Sequence, residues 1–177
     1  PEPKYNLGVG SKSHGAQTGK MLEKIEVILL KEKPDGVLIY GDTNSTVAGA
    51  LAASKLLIPV FHVEAGLRSY DADMPEEQNR VVSDHLSKVL FCPTKTAIKN
   101  LKKEGIITNV INSGDIMYEM ILHNIKKAEK KYANFAWKKE IKNLNLSIKH
   151  DKYYLATIHR PVNTDNEQNL ITIFNAL

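Results

Sequence analysis

Residues 36–46 read Gly36-Val37-Leu38-Ile39-Tyr40-Gly41-Asp42-Thr43-Asn44-Ser45-Thr46. The run Gly36–Tyr40 is continuously apolar and is bounded by Pro34 and Gly41. That pattern predicts a strand buried on both faces, as in a parallel sheet. A small-residue helix is predicted next, over Val47–Leu56, and a second strand over Pro59–Val63. Glu64-Ala65-Gly66-Leu67-Arg68 and a polar loop through Met74 follow. Pro75 stands where the first position of a helix over Glu76–Leu86 is expected. A third strand is predicted over Lys88–Cys92, and Thr94 is placed to cap a helix reaching Glu104. A fourth strand over Asn109–Ile111 precedes a helix whose Met117, Met120, Ile121 and Ile125 share a face. Upstream, Ser13 is placed to cap a helix to Glu32 with Met21, Leu22, Ile25, Ile28 and Leu29 as its apolar face. Strand and helix alternate with short connections, which predicts an α/β fold: a Rossmann-like open parallel sheet with helices on both faces.

The 177 residues are 42% hydrophobic and 25% charged, a globular balance. No apolar run approaches the roughly 20 residues of a membrane-spanning helix, and no secretory leader pattern opens the sequence. Cys92 is the one cysteine, which excludes an intramolecular disulfide and a cysteine-based zinc cluster. A reducing cytoplasm is the expected compartment. The net charge of +4 comes from His123–Lys152, where nine lysines face three acids. With few aromatics and no arginine, that stretch reads as a solvated helix and linker rather than a nucleic-acid stripe. It divides the chain into a Rossmann-like region over 1–131, a connection over 132–152, and a second region from 153, with a strand over Tyr153–Ile158 and a helix beginning near Asp165. Arginine occurs only at Arg68, Arg80 and Arg160. Such scarcity is a hint that planar, bidentate donors are wanted there, although codon bias yields the same pattern.

In open parallel sheets the ligand sits beyond the carboxyl ends of the strands. Asp42, Glu64, Glu76 with Glu77, and His159 with Arg160 all fall on that rim. Several rim carboxylates suit proton chemistry, because neighbouring acids push one another's pKa values apart. Asp42 also reads as a cap of the following helix. Glu76 and Glu77 equally suit the dipole of a helix first turn. Glu64 ends a buried strand ahead of Gly66, where the backbone turns sharply. His159 and Arg160 offer two donors to a phosphate. His62 and His85 read as structural histidines, His14 as solvated, and Cys92 as buried and inert. Ser45 and Ser83 have no base at a recognisable spacing. The pair Gly8 and Gly10 follows no strand and is not read as a phosphate loop.

The strings YGDTNSTVAGALAA, HVEAGLRS, MPEEQNR, LFCPT and TIHRPVN, in that order over nearly the whole chain, resemble the non-hydrolysing UDP-N-acetylglucosamine 2-epimerase family. The spacing of HVEAGLR to PEExNR carries most of the specificity. The resemblance implies a glycosyltransferase-B-like architecture of two Rossmann-like domains with the active site between them. It implies inversion of C2 in UDP-GlcNAc to give UDP-ManNAc, through loss of UDP to a 2-acetamidoglucal and its re-addition, with no nicotinamide or metal. Asp42, Glu64 and Glu76 fall on the family's acid/base carboxylates. His159 falls on a histidine near the nucleotide phosphates, and Arg160, Arg68 and Asn163 on substrate contacts. A homodimer is implied. The sequence departs from the family where Pro161 and Val162 replace a common Arg-Glu pair. Its first strand with a glycine-rich loop, and most of a second domain, are not in the 177 residues. The chain therefore resembles the middle portion of such an enzyme, and the fragment alone is expected to be inactive.

Three other readings stand beside this one. A related epimerase acting on UDP-2,3-diacetamido-2,3-dideoxy-glucuronate shares the PEEQNR region. A glycosyltransferase of the same architecture needs no carboxylate cluster around C2. A nucleotide-sugar-binding module would bind UDP without turnover.

Overall fold

The computed structural model describes residues 2–10, 12–131 and 155–177. These fall into two compact units, Pro1–Lys127 and Ala128–Leu177. In chain order the elements are α1 (His14–Glu32), β1 (Val37–Tyr40), α2 (Asn44–Lys55), β2 (Val60–Val63), α3 (Pro75–Leu86), β3 (Val89–Cys92), α4 (Lys95–Lys103), β4 (Val110–Asn112), α5 (Ile116–Lys131), α6 (Pro161–Thr164) and α7 (Glu167–Ala176). Each predicted strand and helix of the first unit forms with ends shifted by about a residue, except α2, which begins three residues earlier than predicted, at Asn44. The predicted connection over 132–152 lies outside the described residues, as do Tyr153 and Tyr154. Residues 155–160 form neither helix nor strand, because a strand exists only where a neighbour supplies ladder hydrogen bonds. The helix predicted near Asp165 is α7, capped by the Asn166 side chain. No helix of the described residues is long and apolar enough to cross a membrane.

The four strands form one parallel sheet in the order β1-β2-β3-β4. Ile39, His62, Leu90 and Val110 stand side by side across it. Two apolar clusters seal that face. One joins Leu29 of α1, Ile39, Val60 and the alanines of α2. The other joins Ala65, Leu90, Cys92, Ala97 and Leu101. The helix α2 lies close to the sheet because its residues are small: Ala48, Ala50 and Ala53 are fully buried. A Cβ on Gly49 would meet Ile39 Cγ2 at 3.3 Å.

The double-sided burial predicted for β1 does not occur. Ile39 is buried, but Leu38 is 48% exposed and Tyr40 57%. Among the described residues the helices that follow the strands cover one face. Each crossover adds the next strand on the same side, and right-handed crossovers then place α2, α3 and α4 on one face. Phe61, Val63, Val89 and Phe91 on the other face are correspondingly only half-buried. The predicted apolar face of α5 exists, yet Met117, Met120, Ile121 and Ile125 are all exposed.

Local signals set the helix starts. Pro75 occupies the first turn of α3, and Thr94 Oγ1 accepts the Ala97 N–H at 3.1 Å. Ser13 occupies the N-cap position of α1 without a side-chain cap bond. The cap of α2 is Thr43, not Asp42. The Thr43 N–H donates to Thr46 Oγ1 at 3.2 Å, and that hydroxyl donates to the Tyr40 carbonyl at 2.6 Å. The Asp42 carboxylate is left free of capping.

Gly66 fixes the spacing of β2 and α4. Its φ is +79°, and a Cβ there would stand 2.6 Å from the Ala97 carbonyl oxygen and 3.0 Å from Leu101 Cγ. Gly66→Ala is therefore expected to destabilise the protein by about 2–4 kcal/mol through a left-handed backbone and overpacking together. Urea denaturation checks this through a lowered midpoint at unchanged slope.

Candidate active site

The carboxyl ends of β1 and β2 carry two consecutive departures from ordinary backbone. Gly41 has φ +64° and Glu64 φ +72°. Positive φ is easy for glycine and costs a glutamate of order 1 kcal/mol or more. The turn after β2 is held because the N–H groups of Glu64 and Ala65 both donate to the Phe91 carbonyl, at 3.1 and 3.0 Å. The effect is to aim Glu64 back over the rim. Glu64 Oε2 comes within 3.6 Å of the position a Cβ on Gly41 would take, which puts it beside the Asp42 turn.

Asp42 pairs with the Arg80 guanidinium, whose other arm donates to Glu77 Oε2 at 2.8 Å. Asn79 donates to the Asp42 carbonyl at 3.0 Å and to Asn44 Oδ1 at 3.2 Å. Asn44 in turn donates to Gln17 Oε1 at 2.6 Å, with His14 Nδ1 at 3.2 Å. The starts of α1, α2 and α3 are thus tied around one rim.

The Glu64 carboxyl lies above its ordinary value of 4.5. Burial is the main cause, the charges of Asp42 and Asp115 add to it, and Arg80 and His62 oppose it. A carboxyl so placed is a proton donor and acceptor nearer neutral pH than a free glutamate. Glu77 behaves in the opposite way. Burial opposes its ionisation, but N–H bonds from Ser69 and Tyr70 and the Arg80 charge outweigh it, and its carboxyl falls below 4.5. Its oxygens hold the β2–α3 loop through Ser69 N–H at 2.9 Å and Tyr70 N–H at 3.1 Å.

A second charged group lies under the rim. Arg68 is 1% exposed at its side chain. Its Nε and one arm bracket Glu104 at 2.6 and 2.7 Å, and the other arm reaches Asp84 at 2.7 Å and the Leu67 carbonyl at 2.7 Å. Burial weakens the Arg68 cation, but hydrogen bonds to Glu104 and Asp84 outweigh burial and hold it above its ordinary value. Cys92 is buried, as expected; burial pushes its thiol up to about 11, with the Asp84 charge adding.

The sequence-predicted residues are therefore placed as follows. Asp42 and Glu64 come together, Arg80 pairs with Asp42, and the Asp115 charge reaches Glu64. Glu76 is exposed in the first turn of α3 and makes no side-chain hydrogen bond among the described residues. Arg68 has its guanidinium taken up by carboxylates. In the second unit, His159, Arg160 and Asn163 line a cavity of about 430 Å3 with Thr157, Ile158 and Ile173. Sequence reasoning did not assign roles to Arg80, Asp84, Asp115 or Asn79. The scarcity of arginine did point to Arg80. Glu77, Arg80 and Asp84 also recur at helical spacing, an inner face built of charges that a search for apolar periodicity passes over. Among the described residues no three His, Cys, Asp or Glu side chains are grouped to hold a metal ion.

The family model for UDP-N-acetylglucosamine 2-epimerase matches residues 1–177. A UDP-N-acetylglucosamine 2-epimerase homolog of Methanococcus maripaludis is 61% identical over 176 residues, 99% of this chain and 47% of the relative. The UDP-2,3-diacetamido-2,3-dideoxy-D-glucuronate 2-epimerase of Pseudomonas aeruginosa is 46% identical over 180 residues, 100% of this chain and 47% of the relative. The crystal structure of Methanocaldococcus jannaschii UDP-GlcNAc 2-epimerase, in complex with UDP-GlcNAc and UDP, superposes with a TM-score of 0.87 at 50% identity. That match covers 99% of this chain and 46% of the other. The chain spans about half the length of the curated relatives it matches.

Two outcomes follow from the paired charges. Arg80→Met leaves Asp42 and Glu77 without their shared cation, and an unfolding free energy lower by about 3 kcal/mol is expected in urea titration. Glu104 is held below its ordinary value of 4.5, first by its hydrogen bond from Arg68, then by the Arg68 charge and His85 against burial. A depressed carboxyl stabilises the fold above the unfolded value and loses that contribution as pH falls through the folded one. Glu104→Gln should therefore lower the melting temperature at neutral pH and make no difference well below pH 4.5.

Proposed function

This chain belongs to the UDP-N-acetylglucosamine 2-epimerase family, and on that premise we propose that it interconverts UDP-GlcNAc and UDP-ManNAc. The reaction breaks C2–H and the bond from C1 to the UDP oxygen, and forms a C1–C2 double bond. The C2 proton passes to a carboxylate, the C2–H electron pair becomes the C1–C2 double bond, and the C1–O pair leaves with UDP. Re-addition of UDP at C1 and delivery of a proton to the opposite face of C2 complete the inversion. Such a reaction supplies a precursor sugar for cell-envelope polysaccharide.

The observation that carries this reading is Glu64. Its carboxyl is partly desolvated, sits beside Asp42, and is raised above the ordinary glutamate range. A weakly acidic C–H needs a base of that kind, and inversion needs a second group for the return proton. We assign proton transfer to Asp42, Glu64 and Glu76. We assign the departing UDP to His159, Arg160 and Asn163, whose donors line one cavity and would neutralise phosphate charge. Arg68 is the one expected substrate contact that we place in support instead, because its donors are already engaged. The domain division at 131 and 152, a homodimer and a cytoplasmic location belong to the same proposal. Neither nucleic acid nor a membrane surface enters it, and the chemistry as written requires no nicotinamide or metal.

The test is incubation of the full gene product with UDP-GlcNAc in D2O, read by NMR, with the diacetamido-glucuronate analogue in parallel. Deuterium at C2 of both epimers is the expected result with UDP-GlcNAc. Turnover of the analogue alone moves the substrate to the second reading. Sugar transfer to an acceptor without exchange at C2, or UDP binding without turnover, overturns the epimerase. Asp42→Asn and Glu64→Gln should each lower turnover by about 100- to 10,000-fold.

A further inference from the structure

His62 is fully buried in the middle of the sheet. Its Nδ1 lies 2.7 Å from Asp84 Oδ1, and its Nε2 lies 2.8 Å from the Gly41 carbonyl oxygen. A backbone carbonyl only accepts hydrogen bonds. The carboxylate of Asp84 is likewise an acceptor on its other oxygen, where it receives the Gly66 N–H at 3.0 Å and Arg68 at 2.7 Å. A neutral imidazole has one donor nitrogen and one acceptor nitrogen, and so satisfies only one of these two partners. The imidazolium satisfies both.

We propose that His62 is a positioning residue for the proton-transfer site, held as the doubly protonated imidazolium, which clamps the Gly41 carbonyl and so sets the turn that carries Asp42. This rests on the functional reading above for its consequence, but not for the protonation state. Two features make the clamp effective. Gly41 is in the left-handed region at φ +64°, with its N–H on the Val63 carbonyl at 3.1 Å, and the His62 bond holds the peptide that leads on to Asp42. Asp84 is anchored from three elements and cannot retreat from the ring. The charged groups around His62 are Asp84 from α3, with Arg68 of the β2–α3 loop bonded to it, and Glu64 from the turn after β2. Arg80, Asp42 and Asp115, the last from the β4–α5 junction, act in turn on Glu64, with Arg80 bonded to Asp42. The sheet neighbours in register, Ile39 and Leu90, are apolar. The cation therefore acts within a balanced set and adds to Arg80 in restraining the Glu64 carboxyl against burial.

The test has two arms, both on the full gene product. In the first, histidine labelled with nitrogen-15 is observed at about pH 8, where an ordinary imidazole is neutral. His62 is assigned by backbone-to-ring correlation. Both ring nitrogens carrying protons is the expected result. A single-proton tautomer, with the remaining proton on Asp84, overturns the inference. This arm needs no activity and no variant. In the second, His62→Gln is compared with wild type across pH. The variant should lose about 10- to 100-fold in kcat with KM within about 2-fold, and its acid limb should move to higher pH by about 1 unit. A uniform loss with an unmoved limb overturns the positioning role. An imidazolium in a protein that never exchanges C2 hydrogen sinks the epimerase and leaves the protonation state standing. A neutral ring in an active epimerase does the reverse.

Discussion

The buried carboxylate of Asp84 is the constraint around which the first unit is organised. Removing a carboxylate from water costs several kcal/mol unless its oxygens are met by donors. Asp84 meets that requirement with one donor each from β2, the turn after it and the loop beyond: His62, the Gly66 N–H and Arg68. The docking of α3 against the sheet brings all three within reach. The same arrangement puts Gly66 against the Ala97 carbonyl of α4, with Asn100 donating to the Gly66 carbonyl at 3.0 Å. A single side chain thus couples the register of α3, the turn after β2 and the approach of α4.

The rim inherits its chemistry from that anchoring. Because the turn after β2 is pinned, Glu64 is held at positive φ with its carboxyl beside the Asp42 turn and partly withdrawn from water. Two acids so close would repel strongly, and Arg80 offsets this from α3 while Glu77 fixes Arg80 from the other side. Arg80 thus permits the cluster without removing the elevation of Glu64, which burial and two neighbouring acids sustain. Fold stability and the arrangement of the rim carboxylates are served by one helix face whose inward residues are Glu77, Arg80 and Asp84, with Ser83. A charge face of this kind gives specificity of packing more than strength, since each partner is costly to strand.

Close packing elsewhere is left to small residues. Alanines and Gly49 let α2 settle on β1 and β2, and so bring the Thr43 cap and the Asp42 turn to a fixed height above the sheet. On the far face Leu38 and Tyr40 are open among the described residues. One sheet therefore combines a tightly sealed face under the site with a loosely covered one behind it.

Periodicity, turn residues and capping signals determined the alternation of strands and helices in the first unit and the ends of β1 and β2, and therefore that Asp42 and Glu64 lie on the rim. Pro75, Thr94 and the GVLIY run are local signals, and local physics is enough to read them. Three things were settled only in three dimensions. The cap of α2 went to Thr43, because Thr46 bridges it to the Tyr40 carbonyl. The outer face of β1 is open among the described residues, whereas the apolar run alone reads as buried on both sides. The partners of Asp42, Glu64 and Asp84 were fixed by chain segments brought together across the sheet, such as Arg80 for Asp42 and Arg68 for Asp84. Hydrophobic pattern encodes which face is buried; it does not encode which charge lies opposite which, because that pairing depends on distances set only when the helices dock.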